Sequence, residues 1–311
     1  MITIWAPDGV GEIRVGDDLV TELLAVADLA EADVVVVTSK VVSKAEGRAR
    51  ESTREDELVG QTTRVVARRG QTAIVRNRLG LTMAAAGIDA SNVDLGWVLL
   101  LPEDPDASAR TIREQIAHRT GLNVGVIISD TAGRAWREGQ ADIAIGAAGV
   151  LVMEDFAGSS DGYGNDLRVT APAVADELAS AAELAGQKLG GRPFSVIRGR
   201  GDLVLRPGDH GPGAVRLIRD EGSDFFGLGA REAVVRAVAG ADEDRRPFGA
   251  PADSAELAEA LALAFGVAAR PFRDGLEIDR LPDEALRAVA FAHGWAVSAS
   301  DAGSQLSPTH Q

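Results

Sequence analysis

The run Val34-Val35-Val36-Val37 does most to limit how this chain can fold. Four consecutive β-branched residues favour a strand over a helix, and an unbroken apolar strand needs cover on both faces. A second short apolar run, residues 124–128, makes the same demand. With helical patterns between them, the two predict alternating strands and helices. Each run gives way to polar residues: Thr38-Ser39-Lys40-Val41-Val42-Ser43-Lys44 after the first and Ser129-Asp130-Thr131 after the second. The carboxyl ends of buried strands are where α/β proteins commonly place ligands.

Around these runs, Asp17-Asp18 followed by Leu19, Leu23, Leu24 and Ala27 predicts a capped amphipathic helix reaching toward Asp33. Residues 64–67 and 73–76 flank Arg69-Gly70-Gln71 and predict a hairpin. Further strands are expected at 97–101, 150–153 and 194–197, with helices at 107–119 and 174–188 and a surface loop at 155–166. Residues 1–240 read as one domain. Residues 241–254, with four acidic residues, two adjacent Arg and two Pro, read as a linker. Residues 255–297 read as a small helical extension and 298–311 as a disordered tail. The expected fold class is α+β, with mixed β-sheets and flanking helices.

Composition narrows the function. The 311 residues include no Cys, which excludes disulfide frameworks, thiol nucleophiles and cysteine-held metals, and fits a reducing cytoplasm. No apolar run approaches the roughly 18 residues of a membrane span, and no signal-like start is present, so a membrane partner is not expected. A formal net charge of −15 repels nucleic-acid phosphates, so nucleic acid is not expected either. Against 29 Arg stand three Lys, namely Lys40, Lys44 and Lys188. A Lys that persists among so many Arg suits a task for a compact ammonium, such as approaching a phosphate.

Neither a Walker-type G-x-x-x-x-G-K-[ST] nor a helix-opening G-x-G-x-x-G occurs. The four histidines, His118, His210, His293 and His310, are scattered, so any metal ligands are mostly oxygen, which favours Mg²⁺ or Mn²⁺ over zinc. Asp130 after a buried strand has the position of a carboxylate held over a metal-nucleotide, although a capping role would place an Asp there too. Asp89, with Asn92 three residues on, reads either as an oxygen ligand or as an Asx turn. Arg134 and Arg137, with Trp136 between them, suit anionic substrate groups or ordinary pairing with Glu138 or Asp142.

Six ordered segments together resemble the coenzyme F420-0:γ-glutamyl ligase family across roughly the first 240 residues. They are Thr38 through Gly47, Ala86-Gly87-Ile88-Asp89-Ala90-Ser91-Asn92, Ser129 through Gly139, Ala144 through Gly149, Leu167-Arg168-Val169-Thr170 and Ala175-Asp176-Glu177-Leu178. The resemblance implies a GTP-dependent ligase that adds L-glutamate to F420-0 and then further γ-linked glutamates, working as an intertwined homodimer. It also implies Mg²⁺ or Mn²⁺, with K⁺ helping. Carried over by residue, the metal ligands are Asp89, Asp130 and Thr131. The nucleotide is met by Gly9, Val10, Gly11, Glu12, Ser39, Lys40, Lys44 and Asn92. Lys44, Asp130 and Arg134 are the expected catalytic residues.

Two departures from the family pattern stand out. Gly11 stands where relatives usually carry Pro, and only about 70 residues follow the ligase-like region, with no likeness to the flavin domain that some relatives carry. No FMN is therefore expected. The competing expectations are a metal-dependent phosphohydrolase on the same residues and a non-catalytic deazaflavin-binding protein.

Overall fold

The computed structural model describes residues 1–311 apart from 225, 302, 310 and 311. The chain forms two compact units, Met1–Arg64 with Ile74–Ile218, and Val65–Ala73 with Arg219–Gln311. The first part of the chain carries β1 (Thr3–Trp5), α1 (Leu19–Val26), β2 (Val34–Thr38), α2 (Ser39–Ala45), β3 (Ala49–Glu51) and α3 (Arg54–Gln61). There follow β4 (Thr62–Arg69), β5 (Thr72–Asn77), β6 (Thr82–Ala84), β7 (Trp97–Leu99) and α4 (Pro105–Thr120). The long strands β8 (Gly125–Arg134) and β9 (Arg137–Ala148) come next, then the short β10 (Ser159–Ser160) and β11 (Asp166–Leu167), α5 (Val174–Gly186) and β12 (Phe194–Arg198).

The main sheet of the first unit has the order β1-β12-β2-β8-β9. β2 and β8 are parallel and every other neighbouring pair is antiparallel, so the sheet is mixed, as expected. Both faces of the valine strand are covered. Val35 and Val37 pack with Val126, Ile128, Leu23 of α1 and Ile112 and Ile116 of α4. Val34 and Val36 pack on the opposite face with Ile127 and with Val174 and Leu178 of α5. Helix α4 begins where the Asp104 side chain accepts from the Ala107 N–H and Pro105 takes the first turn, and it stops at Gly121, whose φ of 76° is left-handed.

Three expectations for this unit are corrected. Helix α1 ends at Val26 rather than near Asp33; Asp33 is buried and held instead by Arg198, whose Nε and Nη2 each reach it at 2.8 Å. Residues 150–153 form no strand; Val150 makes a single bridge to Val204. The apolar run at 124–128 starts a strand that continues to Arg134 and returns as β9, because Ser129 through Gly133 pair with residues 140–144.

The second unit contains α6 (Ala230–Ala239), α7 (Ser254–Phe265), β13 (Ala269–Phe272), β14 (Gly275–Ile278), α8 (Glu284–Ala292), β15 (Trp295–Ser300) and β16 (Gly303–Pro308). Its antiparallel sheet has the order β13-β14-β16-β15, and Leu257, Leu261, Leu276, Ile278, Leu286, Trp295 and Leu306 form its core. The boundary thus falls at 218/219 instead of 240/241, and the region beyond 255 is not simply helical. The stretch read as a linker packs within the unit: Arg245 lies over the Phe291 ring at 4.3 Å, and the Ala252 carbonyl accepts from Trp295 Nε1 at 2.8 Å. Residues 298–308, expected to be disordered, supply most of two paired strands. His310 lies outside the described residues. Among the described residues no helix is long and apolar enough to cross a membrane.

Candidate active site

The parallel pairing of β2 with β8 ends at Thr38 opposite Ser129. The next residues are Ser39 and Asp130, and the Ser39 hydroxyl donates to Asp130 Oδ1 at 2.8 Å. At this point the chain after β2 turns into α2, which carries Lys40 and Lys44, while β8 runs on. Lys40 Nζ lies 2.6 Å from Asp89 Oδ2 and 2.6 Å from Ser91 Oγ. Ser91 in turn donates its N–H and its hydroxyl to the Asp89 carboxylate, at 2.8 and 2.9 Å. Asp89 therefore makes an Asx turn, closed by the Ser91 N–H, and faces the lysine.

The backbone that presents Asp89 is fixed on both sides. Its N–H and C=O exchange hydrogen bonds with Leu99 of β7, at 3.0 and 2.8 Å. Immediately upstream, Ala85, Ala86 and Gly87 all have positive φ, at 48°, 56° and 79°. Left-handed backbone costs an alanine about 1–2 kcal/mol, so surrounding contacts must hold the turn. Buried Asn77 does so: its Nδ2 donates to the Ala86 carbonyl, and its Oδ1 accepts from the N–H groups of Leu79 and Leu81. Gly87 is required by space as well, since a Cβ there would come within 2.6 Å of Leu101 Cδ1.

Burial pushes the Asp130 carboxyl up to about 6, and the nearby carboxylates of Asp142 and Asp89 add to the shift, against the Ser39 hydrogen bond and the Lys40 charge. Burial also acts to raise Asp89, but the hydrogen bonds from Lys40 and Ser91 outweigh it and hold Asp89 below the usual carboxylate range. On the other face of the strand end, Thr131 Oγ1 donates to Asp142 Oδ1 at 2.8 Å and Ser129 Oγ donates to Asp142 Oδ2 at 3.2 Å. Lys188 Nζ donates to Thr131 Oγ1 and lies 3.9 Å from Glu183, whose carboxyl is raised by burial and by Asp142.

Lys188, Asp142 and Glu183 were not selected as site residues by the sequence reading. Lys188 carried a signal, as one of three lysines in the chain, and all three belong to this region: Lys40 to Asp89, Lys44 to Glu12 and Lys188 to Thr131. Asp142 carried none. It reaches the site through the register of β9, where it stands opposite Thr131.

The other expected residues fall as follows. Glu12 of the opening loop pairs with Lys44 at 2.5 Å, which ties two predicted nucleotide contacts together. Val10 and Ile13 anchor that loop in the core, and Gly9 turns it with a φ of 97°. Asn92 is exposed in the Asp89 loop with a φ of 56°. Arg134 sits farther along β8, exposed, and donates to the Glu138 carbonyl at 2.9 Å; the structure joins it to neither site carboxylate.

Asp89, Asp130 and the Thr131 hydroxyl are hard-oxygen donors of the kind that suits Mg²⁺ or Mn²⁺, but the Thr131 hydroxyl lies on the opposite face of β8 from the Asp130 carboxylate and already accepts from Lys188. Asp130 suits such an ion, being a half-buried carboxylate with two others nearby and one neutral donor, Ser39. Among the described residues no group of three or more His, Asp or Glu is gathered to hold a metal, so the hydroxyls would have to complete the set.

These features define an α+β protein whose acids, hydroxyls and lysines converge where two parallel strands end, an arrangement suited to phosphate and hard-cation chemistry. The chain belongs to the F420-0:γ-glutamyl ligase family, whose model matches residues 9–199. Its relatives include the coenzyme F420:L-glutamate ligase of Methanopyrus kandleri, 39% identical over 69% of this chain and 93% of that protein. Those of Haloarcula marismortui and Archaeoglobus fulgidus, of the same name, are 38% and 39% identical, over 74% and 64% of this chain and 97% and 88% of theirs.

Proposed function

We propose that this chain is a GTP-dependent ligase that joins L-glutamate to the phospholactate carboxylate of F420-0 and then adds further glutamates through γ-linkages. One observation carries the reading: the family match over residues 9–199 spans the Ser39–Asp130 hydrogen bond and the Lys40–Asp89 ion pair beyond the strand ends, together with Lys44 and Thr131. The relatives' names speak of coenzyme F420 and L-glutamate.

A carboxylate resists attack by an amine until one of its oxygens becomes a good leaving group. Transfer of the GTP γ-phosphoryl to the acceptor carboxylate forms an acyl phosphate and releases GDP. The glutamate amine then attacks the acyl carbon. The C–N bond forms, the C–O bond breaks, inorganic phosphate leaves and the amine gives up a proton. Lys44 and Lys40 meet phosphoryl oxygens, and the N–H groups of the opening loop from Gly9 to Glu12 help hold the nucleotide. Arg134 steers an anionic substrate group. Asp89, Asp130 and Thr131 would hold Mg²⁺ or Mn²⁺, with K⁺ assisting, and the ion would supply charge neutralisation at the phosphoryl group. The enzyme works as a homodimer in the cytoplasm.

Oxygen labelling tests the route. With ¹⁸O in the acceptor carboxylate, one labelled oxygen is expected in the released phosphate; unlabelled phosphate accompanying full product formation would contradict the acyl phosphate.

A further inference from the structure

We propose that Trp136, at the tip of the β8–β9 hairpin, is a specificity-determining residue whose ring stacks on the planar deazaflavin of the acceptor. This rests on the ligase reading and extends it to the end of the acceptor remote from the reacting carboxylate.

Strand β8 pairs with β2 only as far as Ser129, opposite Thr38, and beyond that point pairs with β9 alone. The two strands close at Arg134 opposite Arg137, so Ala135 and Trp136 form the turn. Trp136 stands at a φ of 60° and is 88% exposed. Turn positions with positive φ ordinarily hold Gly, Asn or Asp, because a bulky side chain there strains the backbone. Burial is what usually offsets such a cost for a Trp, and here most of the residue is in solvent. Strain of this kind gathers at ligand clamps. Charge and reach then point to the ligand. Arg134 and Arg137, both exposed, outnumber Glu138 at the tip, so a positive spot stands out on an acidic chain and attracts an anionic acceptor. The Arg134 guanidinium is held across the turn by its bond to the Glu138 carbonyl at 2.9 Å. From Asp130 to Arg134 is four steps of strand, on the order of 14 Å. In the acceptor, the phosphodiester and ribityl chain join the carboxylate to the ring through about ten bonds, on the order of 12 Å when extended. With its carboxylate at the strand end beside Asp130, the acceptor thus brings its ring to the hairpin tip. The expected nucleotide contacts lie on the opening loop, α2 and the Asp89 loop, and none is on the hairpin.

The test is steady-state kinetics of the full chain with F420-0, L-glutamate, GTP and Mn²⁺, with urea unfolding and size-exclusion chromatography of the same preparations. Trp136→Ala is expected to raise KM for F420-0 about ten- to a hundredfold, the range for losing one aromatic stacking partner, and to leave kcat and KM for GTP within about twofold of wild type. Trp136→Phe should keep most of the affinity. Trp136→Asn should raise KM for F420-0 as the Ala variant does, yet unfold at a urea midpoint no lower than wild type, since Asn tolerates the left-handed turn. A purely structural Trp would give the opposite, a lowered midpoint. Wild-type ligation with an unchanged KM for F420-0 in W136A, or with a raised KM for GTP in its place, would overturn the assignment and leave the ligase reading intact. So would a lowered midpoint or a changed elution volume in W136N, which would assign the ring to folding or to contact with a second copy. Absence of ligation by the wild-type chain would overturn both.

Discussion

Lys44 shows how much a single side chain can contribute here. With Glu12 as its partner it joins helix α2 to the opening loop, and with Lys40 it is expected to meet GTP. A hydrogen bond to a charged group is worth about 1.5–3 kcal/mol, so Lys44→Ala should fold normally and bind GTP at least about tenfold more weakly by calorimetry. Unchanged affinity would count against the assigned contacts. Asp18 offers a test that leaves the site alone. Its side chain caps α1, and a hydrogen bond from Arg119 holds its carboxyl below the usual range, so its contribution is present above that range and is lost as pH falls through the lowered value. Asp18→Asn keeps a good cap but not the charge. The variant should therefore have a lower urea midpoint than wild type at neutral pH, with the gap narrowing as pH falls below the usual carboxylate range. Arg113 is a buried structural tie: its guanidinium donates to the carbonyls of Val124, Leu205, Arg206 and Asp209, and Gly149, at a φ of 68°, leaves room for it. Arg113→Ala should cost about 3 kcal/mol, read from denaturant unfolding, because it takes the donor from the buried Val124 carbonyl and from the part-buried carbonyls of Arg206 and Asp209.

The left-handed turn from Ala85 to Gly87 sets where Asp89 stands, through Asn77 on one side and the Leu99 pairing on the other. Ala86→Gly should raise stability by up to about 1 kcal/mol, since glycine adopts positive φ without the alanine penalty. A lowered unfolding midpoint would contradict this account of the turn. The elements around the site were largely legible from sequence because their apolar patterns are strong: the valine run, the residues 124–128 and the faces of α4 and α5 each had one clear burial solution. The four strands of the second unit were not. Gly303–Pro308 contains one large apolar residue, Leu306, and Ala269–Phe272 contains Pro271, so neither carries an alternating signal. Their identity comes from pairing with Leu276 and Ile278, a tertiary effect that local pattern does not encode. The true length of β8 was hidden for a similar reason: the polar stretch Ser129 to Gly133 is extended because β9 pairs with it.

At the level of the whole chain, two units with separate cores divide the protein, and the family match lies within residues 9–199. Paired strands in the last part of the second unit should protect their amides, so hydrogen exchange at Val297 and Leu306 is expected to be much slower than in an unstructured chain. Exchange at unstructured rates would restore the disordered tail. The candidate site was legible as far as Asp89, Asp130 and the two lysines of α2, because these fall in short polar segments beside strong apolar runs. Asp142 and Lys188 were not, since it is strand register and the end of α5 that bring them to Thr131. The account as a whole depends on glutamate ligation, and the most direct measurement is mass spectrometry of F420-0 incubated with the purified protein, L-glutamate, GTP and Mn²⁺, with Asp130→Asn in parallel. Product ions heavier by whole glutamyl units with wild type and not with the variant are the predicted result. No mass increase with wild-type protein, whether or not GTP is hydrolysed, would contradict it.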